Sequence, residues 1–126
     1  MGILEAAKPA IIICTQDRSR ATAFYRDTLG LPLAYEDNFA TVFNIGGATL
    51  RVSLVPDFRP HEHTIVGFHV PDVPATVKAL REKSVTFNIY PRFHQDELGI
   101  WTPPGGTTRV AWFKDPDGNV LSVTNA

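Results

Sequence analysis

Few side chains in this sequence can do acid–base, nucleophilic or metal chemistry, and their spacing sorts them. His61-Glu62-His63 sets two imidazoles at i and i+2. On an extended segment those positions share a face, which suits a shared divalent cation. A solvated loop between two folded segments accounts for the same residues. His69 stands alone in the apolar run Ile65-Val66-Gly67-Phe68-His69-Val70. Imidazole titrates near neutrality, so His69 is the candidate for proton transfer or hydrogen bonding, with a satisfied core histidine as the other reading. His94, Asp96 and Glu97 fall in a stretch rich in Pro and Gly and read as surface polar groups. Cys14 is the single cysteine, so no disulfide can form within the chain, and a reducing cytoplasm is the expected compartment. No base or cation flanks it in sequence, so it reads as a packed thiol.

The elements that must position these groups repeat. Residues 10–16 are β-branched and apolar, as a buried strand requires. Asp17 then caps a helix whose Ala21, Phe24, Tyr25 and Leu29 share one face, and Gly30 ends it. Strands are expected at about 33–37, 40–46 and 48–55, with Gly46-Gly47 as the last turn. The pattern restarts at 65–71. Asp72 caps a second helix with Pro74 in its first turn and Val73, Val77 and Leu80 as its apolar stripe. Strands are expected at about 85–91, 107–113 and 119–125, with Asp117-Gly118 as the final turn. The order is β-α-β-β-β, twice. The helix landmarks (Ala21-Thr22 and Ala75-Thr76) are closer in register than the hairpin glycines (Gly47 and Gly118). The difference places an insertion at Pro91–Gly106. A structureless loop of that length is uncommon unless it has a function, and Phe93, Ile100 and Trp101 suit a lid packed over a cavity.

Composition removes several classes. A length of 126 residues makes one domain, and a net charge of −1 without a basic stripe leaves nucleic acid no footprint. No apolar run is long enough to span a membrane, and the N-terminus lacks a signal-peptide pattern.

Asp17-x6-Phe24-Tyr25-x3-Leu29-Gly30 opens the first module, and Asp115-Pro116-Asp117-Gly118-Asn119 closes the second. Together, on a β-α-β-β-β duplication, they resemble the vicinal oxygen chelate superfamily of glyoxalase I, bleomycin-resistance proteins and extradiol dioxygenases. The resemblance implies an α+β fold of two βαβββ modules forming a cup-shaped mixed sheet, with module one at about 8–58 and module two at about 63–126. It also implies a helix-packed face and a ligand-lining face for each sheet. By alternation, Ala10, Ile12, Cys14 and Gln16 face the ligand side, as do Thr49, Arg51 and Ser53. In module two that set is Ile65, Gly67 and His69, with Val120, Ser122 and Thr124.

Metal ligands in the family lie seven residues before each capping Asp and four after each hairpin Gly. Those positions hold Ala10, Arg51, Ile65 and Ser122. Ala and Ile have no donor, Arg repels a cation and Ser is a weak ligand. The expectation is therefore no metal and no other cofactor; a relocated divalent metal is the alternative. Arg51 needs an anionic partner, either a ligand oxygen or an internal acid such as Glu36, Asp37 or Glu97. The expected function is metal-independent binding of a drug or metabolite, in a pocket lined by Arg51, His69, Ser122, Trp101, Phe93 and Cys14. The partner would be a small molecule, and the family analogy adds a homodimer. The alternative is a glyoxalase-like lyase, isomerase or dioxygenase with a relocated metal or with His69 as acid/base. A cavity plugged by large side chains would instead indicate an interaction domain.

Overall fold

Apolar strands that begin each half of the chain set up two mixed sheets. The computed structural model describes residues 2–126, which divide into two compact units, one running to Phe58 and the other Arg59–Ala126. In unit one the strands are β1 (Ala10–Thr15), β2 (Leu33–Glu36), β3 (Ala40–Ile45) and β4 (Ala48–Leu54). Their order is β1-β4-β3-β2; β1 runs parallel to β4 and the other pairs are antiparallel. Helix α1 (Arg18–Ala23) supplies the crossover that a parallel pair needs. Asp17 accepts from the Arg20 N–H at its N-terminus, as its position in the sequence predicts.

The expected single helix to Leu29 is a correction: its second half, Phe24–Thr28, widens to a π turn, with the Leu29 N–H donating to Phe24 O at 2.9 Å. Gly30 follows at φ 75°, the left-handed conformation expected of it. Ala21 and Tyr25 bury against the face of Ile13, Leu50, Val52 and Phe43, with the Tyr25 and Phe43 rings 6.1 Å apart. Ile13, Leu50, Val52 and Phe43 each contribute roughly 1.5–3 kcal/mol through lost apolar exposure.

Unit two repeats the scheme with β5 (Thr64–His69), α2 (Val73–Glu82), β6 (Val110–Lys114) and β7 (Val120–Thr124) in the order β5-β7-β6. The Asp72 carboxylate caps α2 at the Ala75 N–H, and Val73 and Val77 are its buried stripe; Leu80 is only half-buried. Between β6 and β7 the buried Asp115 carboxylate accepts from the N–H groups of Asp117 and Asn119, both at 2.9 Å, and from Asn119 Nδ2 at 2.8 Å. This explains the Asp-Pro-Asp-Gly-Asn sequence. The first Asp organises the turn and Gly118, at φ 90°, adopts a conformation that side chains disfavour.

The strand expected at 85–91 is the second correction. Pairing there shrinks to one bridge, Phe87 with Phe113, plus an Asn88 N–H to Trp112 O bond of 2.7 Å. Pro91 has no N–H, and the chain turns into a short 3-10 segment, Pro91–Phe93. Trp101 then returns to the vacated edge of β6 and pairs with Val110 through two backbone bonds of 2.8 and 3.0 Å. The insertion is thus a detour along one strand edge. Gln95 ties it: Nε2 donates to Asn88 O (2.8 Å) and Gly99 O (2.7 Å), and Oε1 accepts from the Tyr90 N–H (2.5 Å). Among the described residues no helix is long and apolar enough to cross a membrane.

Candidate functional site

Cross-strand partners project from the same sheet face, so register identifies the open face of each unit, opposite its helix. In unit two one row is His69, Thr124, Val110 and Trp101, and the next is Gly67, Ser122 and Trp112. The first row spans three strand spacings, roughly 14 Å, with an imidazole at one end and an indole at the other. Phe93, carried by the insertion, stacks on Trp112 with ring centroids 5.3 Å apart and an interplanar angle of 19°. It also lies 4.8 Å from Trp101. Tyr90 meets Trp112 edge-on at 5.4 Å, and its hydroxyl accepts from Asn88 Nδ2. Phe93, Trp101 and Trp112 are all half-buried. The Arg92 guanidinium lies over the Phe93 ring at 4.8 Å, a cation–π contact.

Four of the residues expected to line a ligand site, His69, Ser122, Trp101 and Phe93, therefore share the open face of unit two. His69 is exposed and makes no side-chain hydrogen bond among the described residues, unlike a satisfied core histidine. Ser122 is 5% exposed and forms floor rather than an accessible contact. Gly67 beside it leaves little room, since a Cβ there would sit 3.1 Å from Ser122 Oγ. Trp112 and Tyr90 are further members of this face. Trp112 was open to recognition by parity, because its neighbours Ala111 and Phe113 are buried on the helix side.

Arg51 and Cys14 belong to the open face of unit one. Their rows are Ile12, Arg51, Val42 and Tyr35, and Cys14, Ser53 and Ala40. Cys14 is half-buried. Arg51 Nη2 donates to Asp37 Oδ2 at 2.6 Å, so of the three candidate acids Asp37 is the internal partner. The second Asp37 oxygen accepts from the N–H groups of Phe39 and Ala40, both at 2.8 Å. The Phe39 bond foremost, then Arg51 and Ala40, hold the carboxyl at a pKa of about 2, while Asp37 raises that of Arg51. From the helix side Arg18 Nη2 donates to Ala40 O at 2.8 Å. Two guanidinium groups on opposite faces thus hold one turn.

The four positions that carry metal ligands in the resembling family do not fit a metal. Ala10 and Ile65 have no donor, Arg51 is a cation already engaged by Asp37, and Ser122 is buried in the sheet floor. Elsewhere, His61 and His63 stack with centroids 5.7 Å apart, while Glu62 between them binds Lys114 Nζ at 2.8 Å. Asp96 organises a turn, accepting from the N–H groups of Leu98 and Ile100, both at 2.9 Å. Among the described residues no group of three His, Cys, Asp or Glu is placed to hold an ion.

Two β-α-β-rich units, each with one sheet face on a helix and the other open, define the class of glyoxalase-like α+β proteins. The chain belongs to the Glyoxalase/Bleomycin resistance protein/Dioxygenase superfamily, whose model matches residues 9–123. It is 26% identical to the Bacillus subtilis (strain 168) uncharacterized protein YraH, over 90% of this chain and 93% of that one. Its fold is similar to a superfamily member from Sphaerobacter thermophilus DSM 20745, with TM-score 0.74, 24% identity and coverage of 97% and 98% of the two chains. It is also similar to lactoylglutathione lyase from Agrobacterium tumefaciens, with TM-score 0.67, 17% identity and coverage of 94% and 92%.

Proposed function

We propose that this protein binds a flat, largely apolar small molecule on the open face of unit two, without a metal. The observation that carries the reading is the half-buried cluster of Phe93, Trp101 and Trp112 on the face that also bears an accessible His69. Aromatic walls with few polar groups are the usual make-up of small-molecule sites, and stacking adds about 0.5–1.5 kcal/mol per ring pair beyond area burial. His69 supplies one hydrogen bond at the far end of the same row. The absence of suitable donors at Ala10, Arg51, Ile65 and Ser122 supports a role that needs no Lewis acid. Family analogy adds a homodimer, which sedimentation equilibrium tests directly.

The experiment is titration of the purified protein with planar aromatic compounds, read by indole fluorescence, with and without a strong chelator. Saturable quenching, indifferent to the chelator and lost in Trp112→Ala, is the expected result. Tight, stoichiometric metal that is required for binding would overturn the metal-free reading. The exposure of His69 also favours an acid/base role in an isomerase- or lyase-like reaction. Turnover of a bound compound that vanishes in His69→Gln while binding persists would establish that second reading.

A further inference from the structure

Unit two has a recess, of about 510 Å³, on the helix side of its sheet. Its place follows from the broken fourth strand. Phe87 packs on Phe113 at 5.3 Å, and Phe113 shares a row with Leu121 and Val66, the face that α2 covers. Helix α2 ends at Glu82, so it does not cover the rest of the 85–90 arm. Ile89 is consequently 62% exposed. The turn around Leu98 forms the opposite wall. Gly99 makes this possible: at φ 85° it sits where a Cβ would lie 3.2 Å from Phe87 Cβ. The recess thus has an apolar floor of Val85, Phe87, Ile89 and Leu98. Two charged side chains flank it, Arg81 from α2 and Glu97 from the insertion. Neither makes an ion pair among the described residues. The comparable recess of unit one, about 500 Å³ beside α1, is lined by polar residues including Arg18, Thr22 and Thr41.

The geometry points to the recess of unit two as a site for a small zwitterion with apolar side chains, of dipeptide size. Its carboxylate pairs with Arg81, its ammonium with Glu97, and its side chains cover Val85, Ile89 and Leu98. The volume falls within the range of small-molecule sites, about 300–1,000 Å³. One unpaired charge of each sign over an apolar floor complements a molecule that carries both charges. A simple acid or amine would leave one charge of the recess unmatched. The sheet separates this site from the aromatic face, so it does not depend on the ligand proposed there.

The test is a titration of the full chain with L-leucyl-L-leucine, followed by amide NMR and calorimetry. Saturable shifts at Arg81, Phe87, Ile89 and Leu98 are expected, with about tenfold weaker binding for the N-acetylated and C-amidated forms. Arg81→Gln should abolish the preference for acid over amide only, and Glu97→Gln the preference for free over acetylated amine only. Both positions are exposed, so the variants keep the fold. No saturable binding, equal binding of all three forms, or shifts at the Trp101 and Trp112 indoles instead of the recess would each overturn the proposal.

Discussion

The Phe93 ring lies nearly parallel to the Trp112 indole, 5.3 Å away, although the two residues come from different parts of the chain. One rides on the insertion and the other is fixed in β6, so the contact joins the insertion to the sheet. Phe93→Ala should therefore lower stability by about 1–2 kcal/mol through lost burial and stacking. It should also weaken a planar ligand about tenfold through the loss of one stacking partner. Chemical denaturation and indole fluorescence titration measure the two effects separately.

Gln95 satisfies three backbone groups of the detour with one side chain. Gln95→Ala should cost about 1–3 kcal/mol, given about 0.5–1.5 kcal/mol for each net hydrogen bond and partial access of water to the groups left behind. Hydrogen exchange should accelerate at 88–100 while protection in β7 is retained. Uniform loss of protection across unit two would show that the clamp supports the whole unit.

The Arg51–Asp37 pair predicts an acid dependence. The folded pKa of Asp37, about 2, lies below the ordinary unfolded value of about 3.9, so its contribution to stability is fully present above that value. It is lost as pH falls through the folded pKa. Asp37→Asn should flatten the decline in stability between about pH 4 and pH 2, relative to the parent protein. Thermal melts of both proteins across that window provide the measurement; identical slopes would exclude Asp37 as a contributor.

Gly99 combines a φ of 85° with close approach to Phe87. Gly99→Ala should destabilise by about 1–2 kcal/mol from the left-handed conformation alone, with a further cost from the crowded Cβ. Gly105, at φ 74° but with nothing within 4 Å of where a Cβ would stand, provides the control. The corresponding Ala variant there should show the backbone cost only, and the difference in denaturation midpoint isolates the packing term.

Residue order alone established the succession of elements apart from the strand expected at 85–91, both helix caps, and the face that the first and last strand of each unit turn away from the helix. Those features rest on local rules: an Asp before a helical stripe, a glycine at a turn, and the two-residue period that puts Arg51, His69 and Ser122 on the face opposite Val52 and Leu121. At the positions that the resemblance assigns to a metal it places Ala10, Arg51, Ile65 and Ser122, residue types that suit a cation poorly. Tertiary packing chose the partners those residues meet. Asp37 rather than Glu36 or Glu97 receives Arg51, because the β2–β3 turn brings its Oδ2 to 2.6 Å from Arg51 Nη2. Trp101 rather than the 85–91 segment completes the end of β6, because Pro91 diverts the chain and Gln95 holds the detour. No local periodicity encodes such a side-chain clamp. The physical reason is that a side chain's direction follows from its own backbone, whereas its partner depends on where distant segments fold.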